Sequence, residues 1–110
     1  MTSLIPLKSD CSEALGQCIK ECQYLIASIK DKEIAGLEKC EELAQLCIEA
    51  CAECIDACES ARLDRGKMML ACVEACKNCA SECEKHDLVE CDRCAGACNE
   101  CLEELGHVLA

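Results

Sequence analysis

The sequence predicts an all-α fold: an antiparallel up-down-up-down four-helix bundle with a cysteine-lined core. Three observations lead there. Cysteine occurs 16 times in 110 residues, in groups whose spacings are mostly threes and fours. Those spacings are the helical period, and at about 100° per residue each group's thiols fall within a stripe roughly 60° wide. Short polar breaks separate four such groups, which suits four helices joined by short connections.

The first stripe is Cys11, Cys18 and Cys22, with Ser9 or Asp10 as the candidate cap of its helix. The second is Cys40, Cys47, Cys51, Cys54 and Cys58, on a helix expected to start at Asp31 with Glu33 and Glu38 in its opening turns. SARLDRG, residues 60–66, ends it, and Asp64 is the candidate cap of the third helix, which carries Cys72, Cys76, Cys79 and Cys83. Lys85 and His86 close that helix, and Asp87 caps the fourth, which carries Cys91, Cys94, Cys98 and Cys101. The predicted lengths are about 19, 29, 20 and 21 residues. Residues 47–59, 71–83 and 91–101 resemble one another as weak internal repeats, each a ladder of thiols. Residues 1–110 read as one domain, with 1–8 a short or flexible N-terminal segment.

Composition narrows the function. Tyr24 is the one aromatic residue, and Trp and Phe are absent. Cysteine must therefore fill the core, as a small hydrophobe can. A formal net charge of −11 argues against nucleic acid and against an anionic membrane surface as partners. Every thiolate would add to that charge, so a bound cation is favoured. MTSLIPLKSD has no apolar run long enough for a secretion signal, and nothing approaches the roughly 18 apolar residues of a membrane span. A cytoplasmic protein is expected. In that reducing compartment dense cysteine points to metal or redox chemistry, not to a disulfide framework.

Thiols three or four residues apart on a helix have Cβ atoms about 5–6 Å apart. A relaxed disulfide wants about 3.5–4.5 Å. Two sulfurs joined linearly through one metal span about 4.6 Å, which the ladder suits better. Soft thiolates select Cu(I), Zn(II) or iron–sulfur clusters. Iron–sulfur clusters use loop-wrapped runs such as C-x2-C-x2-C-x3-C-P, and none occurs here. Structural zinc wants isolated tetrahedral sites, whereas continuous stripes run end to end. Cu(I) accepts two or three sulfurs, and thiolates bridge neighbouring ions. About sixteen Cu(I) or about eight Zn(II) would balance sixteen thiolates, so charge leaves both metals open. A zinc or general thiophilic-metal buffer is the alternative, with an iron–sulfur or thiol redox protein behind it. The CxxC pairs Cys51/Cys54 and Cys91/Cys94 lack the strand–helix context of a redox motif. No acid–base pair, nucleophile triad or phosphate loop is evident, so binding is expected and not catalysis.

Antiparallel order gathers Cys11, Cys58, Met68, Met69, Cys72, Cys101 and His107 at one end. The other end gathers Leu25, Ile26, Ile29, Ile34, Leu37 and Leu88 as an apolar plug. Met68 and Met69 lie four and three residues before Cys72, on its stripe, and a thioether is a soft donor. The candidate metal ligands are thus the sixteen cysteines with Met68, Met69 and His107. An ideal helix turns His107 about 140° from the Cys94 direction, so a surface position competes with the ligand role. His86 is assigned to the helix junction and Tyr24 to packing. Most acidic residues, among them Glu41, Glu53, Glu74 and Glu82, fall between thiol positions on solvated faces.

Four Cys-lined helices with CEKHD at 83–87 and CDRCAGAC at 91–98 resemble the cytosolic copper storage proteins, over about residues 9–101. The resemblance implies a four-helix bundle holding many Cu(I) ions along its core, and a homotetramer of such bundles. It also implies copper arriving from a donor protein or a small thiol, through one open end near His or Met side chains. The chain departs from that pattern on its first helix, which has three cysteines, and at Ile34 and Leu37, which precede Cys40 without thiols.

Overall fold

A computed structural model describes residues 4–109, with side chains from Ser12 onward. It contains α1 (Leu4–Lys32), α2 (Glu38–Glu59), α3 (Arg65–Cys83) and α4 (Val89–Leu109). α1 packs on α2 and α4, and α3 packs on the same two, so the diagonal pairs face each other only across the core. The result is a rod of 49 × 20 × 19 Å. The expected bundle is present, but the division between its first two helices is not the expected one.

α1 has 29 residues and α2 has 22, against the reverse bias expected. Asp31 does not cap α2; it lies in the last turn of α1. The reason is a helix stop that carries no glycine. Glu33 takes a positive φ of 50°, and the Ile34 N–H donates to the Ile29 carbonyl at 3.2 Å. That is the Schellman closure, and Ile34 packs at the end it closes. Gly36, at φ 84°, then turns the chain into α2. The same closure ends α2: Ala61 sits at φ 53°, and the Arg62 N–H donates to the Ala57 carbonyl at 2.9 Å.

The helix starts also differ. α1 begins at Leu4, so Ser9 and Asp10 lie inside it and not at its cap. Of the expected N-terminal segment, residues 1–3 lie outside the described residues, and 4–8 are helical. Leu37 opens α2 with no side-chain cap, because its apolar side chain is buried at the plug. Asp64 stands at the start of α3 as expected but makes no capping bond. Arg62 takes its carboxylate instead, at 3.0 and 2.8 Å. Leu88, not Asp87, accepts the first helical bond of α4, from Asp92.

Few polar groups tie the seams. Lys32 reaches the buried Glu90 at 2.7 Å, and Arg93 reaches the buried Glu21 at 3.0 Å. Arg93 also lies over the Tyr24 ring, 4.6 Å from its centroid. Tyr24 is therefore a surface platform and not the packing residue expected. Along the axis the described residues are thiols, alanines, aliphatic carbon and the Met69 thioether.

Candidate metal site

The thiols meet in levels across the bundle. In the middle, Cys18 stands 3.6 Å from both Cys47 and Cys98, and Cys47 stands 3.7 Å from Cys76. Each of the four helices supplies one sulfur there. Toward the plug follow Cys22, Cys79 and Cys94, with Cys94 at 3.6 Å from Cys22 and 3.7 Å from Cys79. The helical register places buried Ala44 in the fourth position of that level. Cys40, Cys83 and Cys91 form the last thiol level before the plug. In the other direction Cys51 and Cys72 lie 3.6 Å apart, with Cys101 beside them. Buried Leu15 holds the place of α1 at that level.

These levels are fused. Cys18 and Cys47 belong both to a group with Cys22 and Cys98 and to a group with Cys51 and Cys76; within each group all sulfurs lie within 4.8 Å. Successive levels also touch along one helix, as Cys47 and Cys51 do at 4.0 Å. With a metal–sulfur distance of about 2.3 Å, sulfurs lie about 3.8 Å apart around a tetrahedral ion, about 4.0 Å around a planar three-coordinate ion and about 4.6 Å across a linear one. The cross-helix distances of 3.6–4.0 Å match three or four sulfurs per ion. Thiols of one helix and thiols of neighbouring helices both come within this range, so an ion can draw its sulfurs from either.

Electrostatics of the metal-free column point the same way. Cys18 and Cys72 are held low chiefly by their interaction with Cys101, and Cys79 chiefly by its interaction with Cys22. Their partners are held high: Cys22 and Cys98 chiefly by their interaction with Cys18, and Cys51 chiefly by its interaction with Cys101. Burial raises all of them. Each thiolate thus needs a neighbour that keeps its proton, and not all can ionise at once. A soft cation removes that conflict by supplying the positive charge itself.

Comparison with known proteins agrees with this chemistry. The family model "Csp: Copper storage protein" matches residues 6–110. The chain belongs to the copper storage protein family. A solved structure of the Cu(I)-bound copper storage protein BsCsp3 is 27% identical, with a TM-score of 0.89, covering 94% of this chain and 99% of that one. The apo form of copper storage protein 3 from Bacillus subtilis is 28% identical, with a TM-score of 0.84, covering 93% and 98%. No curated relative matches the chain.

In this copper storage family member fourteen described cysteines, from Cys18 to Cys101, have no solvent exposure, and only Cys58 is half-buried. Cys11 lies on α1, but its side chain is outside the described residues. Of the two methionines, Met69 is buried in the core, whereas Met68 is half-buried and packs against it. The register sets Met69 level with Cys54 and Leu105. His107 is exposed, on the side of α4 away from the thiols, so it stands apart from the column. His86 is 3.2 Å from Glu82 at the α3–α4 junction, as assigned. The plug is in place: Leu25, Ile29 and Leu37 are buried, and Ile26, Ile34 and Leu88 pack against them. Leu15 is a core residue that the cysteine stripes do not mark. Its position four after Cys11 and three before Cys18 is the sequence signal for it.

No described helix is long and apolar enough to cross a membrane.

Proposed function

We propose that the chain stores Cu(I), holding many ions at once in one continuous thiolate column. The observation that carries this is the sharing of thiols between adjacent groups. An ion that accepts bridging thiolates fills such a column from end to end. Zinc, which takes four ligands per ion in structural sites, fills the same column with fewer ions. Copper supplied by a donor protein or small thiol, a reducing cytoplasm and assembly into a homotetramer complete the reading. Exposed Leu46, Leu70 and Val89 are available for such assembly.

The test is an anaerobic Cu(I) titration of reduced, metal-free protein. Uptake is expected to saturate on the order of 16 ions per chain, about one per thiol. Saturation at one or two ions would sink the storage reading. Saturation near four Zn(II), with weak competition by copper, would favour the zinc buffer.

The methionines lead to a second expected result. Cys58 is the partly exposed thiol at their end, and an ion moving inward from it needs a ligand at every step. Met69, on the axis, supplies one; Met68 packs at the seam. Met69→Leu keeps volume and helix propensity nearly constant. It is expected to slow loading about tenfold, equivalent to about 1.4 kcal/mol on the barrier. Final capacity is expected to stay the same, and Met68→Leu to slow loading less. Stopped-flow uptake from a Cu(I) donor measures this, and an unchanged rate in Met69→Leu assigns both residues to packing.

A further inference from the structure

The thiols nearest the plug differ from the rest of the column. Cys40, Cys83 and Cys91 bring three sulfurs within 4.8 Å of one another, from α2, α3 and α4. α1 adds no donor to them. Leu25 lies three residues after Cys22, and Cys91 lies three before Cys94, the partner of Cys22. Leu25 also lies seven residues after Cys18, and Cys40 lies seven before Cys47, the partner of Cys18. Two independent registers thus set Leu25 level with the three thiols, and its side chain is fully buried.

Cys79 and Cys94 of the next level interact with Cys83, but among the described residues no fourth sulfur joins the group in which all three lie within 4.8 Å of one another. Buried Ile29 and Leu37 close the column beyond Leu25, and the three cysteines have no solvent exposure, which keeps water out. Glu82, whose charge is felt at Cys40, gives one oxygen to Lys85 at 3.3 Å and the other to His86 at 3.2 Å.

We propose that Leu25 sets the metal specificity of this end: it fills the fourth corner of a Cys40–Cys83–Cys91 site with hydrocarbon, making a three-coordinate site open to Cu(I) and closed to divalent ions that require four donors. The inference rests on the storage reading above, that core thiols hold metal. Zn(II) and its relatives take four ligands in protein sites without a catalytic opening. Here the missing ligand cannot be replaced by water, and a partly coordinated dication in an apolar pocket is costly. Cu(I) is satisfied by three sulfurs. The mid-column groups, with four thiols each, make no such distinction.

Co(II) tests this, because tetrahedral thiolate coordination gives it strong visible bands. The full chain, reduced and metal-free, is titrated anaerobically beside Leu25→Cys and Cys40→Ser. Leu25→Cys is expected to take up about one more tetrahedral Co(II) per chain than the natural sequence, having completed a four-thiol site. Cys40→Ser is expected to bind as much Co(II) as the natural sequence, since the trio holds none. A helical Leu25→Cys protein with no added Co(II) overturns the proposal, and so does a Cys40→Ser protein that loses one Co(II). Should Leu25→Cys fail to fold, Cys40→Ser decides alone. A parallel Cu(I) titration separates the two readings. Absence of multi-ion Cu(I) uptake overturns the storage function itself, whereas normal uptake with either adverse Co(II) result overturns only the role of Leu25.

Discussion

Copper loading is expected to raise the thermal unfolding midpoint by on the order of tens of degrees while adding almost no helix. The helices do not need metal to form. Two of them end in backbone closures at Glu33 and Ala61, and the seams carry the Lys32–Glu90 and Arg93–Glu21 pairs. Protonated cysteine packs as a small hydrophobe, so the metal-free core is dry. It is also thin, because a buried cysteine removes less apolar surface from water than the leucine an ordinary bundle would use. Thiol–thiol contacts add little, since S–H is a weak donor and sulfur a weak acceptor. Each ion bound to the native thiols, at a free concentration 100 times its dissociation constant, stabilises the fold by about 2.7 kcal/mol. Unfolded thiols bind copper too, so the gain is less than the sum over sites. Even a few such increments suffice, because about 1 kcal/mol moves the midpoint of a domain this size by about 4–8 °C. Far-ultraviolet circular dichroism of metal-free and loaded protein, melted side by side, measures both parts. A coil spectrum without metal would show folding coupled to metal, as in zinc fingers. Equal midpoints would mean that the column does not hold its ions together.

Metal-free protein is expected to lose stability steeply between about pH 9 and pH 12, and loaded protein to lose much less. Burial, reinforced by the negative charge of Cys91 and then Glu82, pushes the Cys40 thiol from the ordinary 9.0 up to about 12. Burial also pushes Cys91 up. Below pH 9 both the folded and the unfolded chain keep these protons, and stability does not depend on them. Above pH 9 the unfolded chain releases them and the folded chain does not. The folded state then binds more protons, so stability falls as pH rises, by about 1.4 kcal/mol per pH unit for each such thiol. Once pH exceeds the folded value the contribution is gone. In loaded protein the thiolates have no proton to keep, and that slope vanishes. Urea midpoints at pH 7, 9 and 11 under reductant measure it, with Cys40→Val as the control that lowers the slope. A metal-free midpoint at pH 11 equal to that at pH 7 would contradict the assignment.

The sequence by itself determined the class of the protein. Threes and fours between cysteines are a helical signal independent of any neighbour, and sixteen thiols on four such stripes leave a bundle with a soft-metal core as the economical solution. The same periodicity placed the plug, since Leu25, Ile29 and Leu37 continue the inward stripes without sulfur. Helix ends were less legible. Glu33 and Ala61 close helices in the left-handed conformation that glycine signals, yet neither is glycine. Asp31 and Asp64 carry the chemistry of caps, but the first lies inside α1 and the second is held by Arg62. Tertiary structure alone decided which thiols of different helices meet. Spacing along one helix reports neighbours on that helix, whereas the shortest sulfur contacts, such as Cys18 to Cys98 at 3.6 Å, run between helices. Their register depends on how four helices pack, which no single stripe encodes. That packing set Met69 on the axis and Met68 beside it, left His107 outside, and put Leu25 where a fourth thiol would otherwise stand.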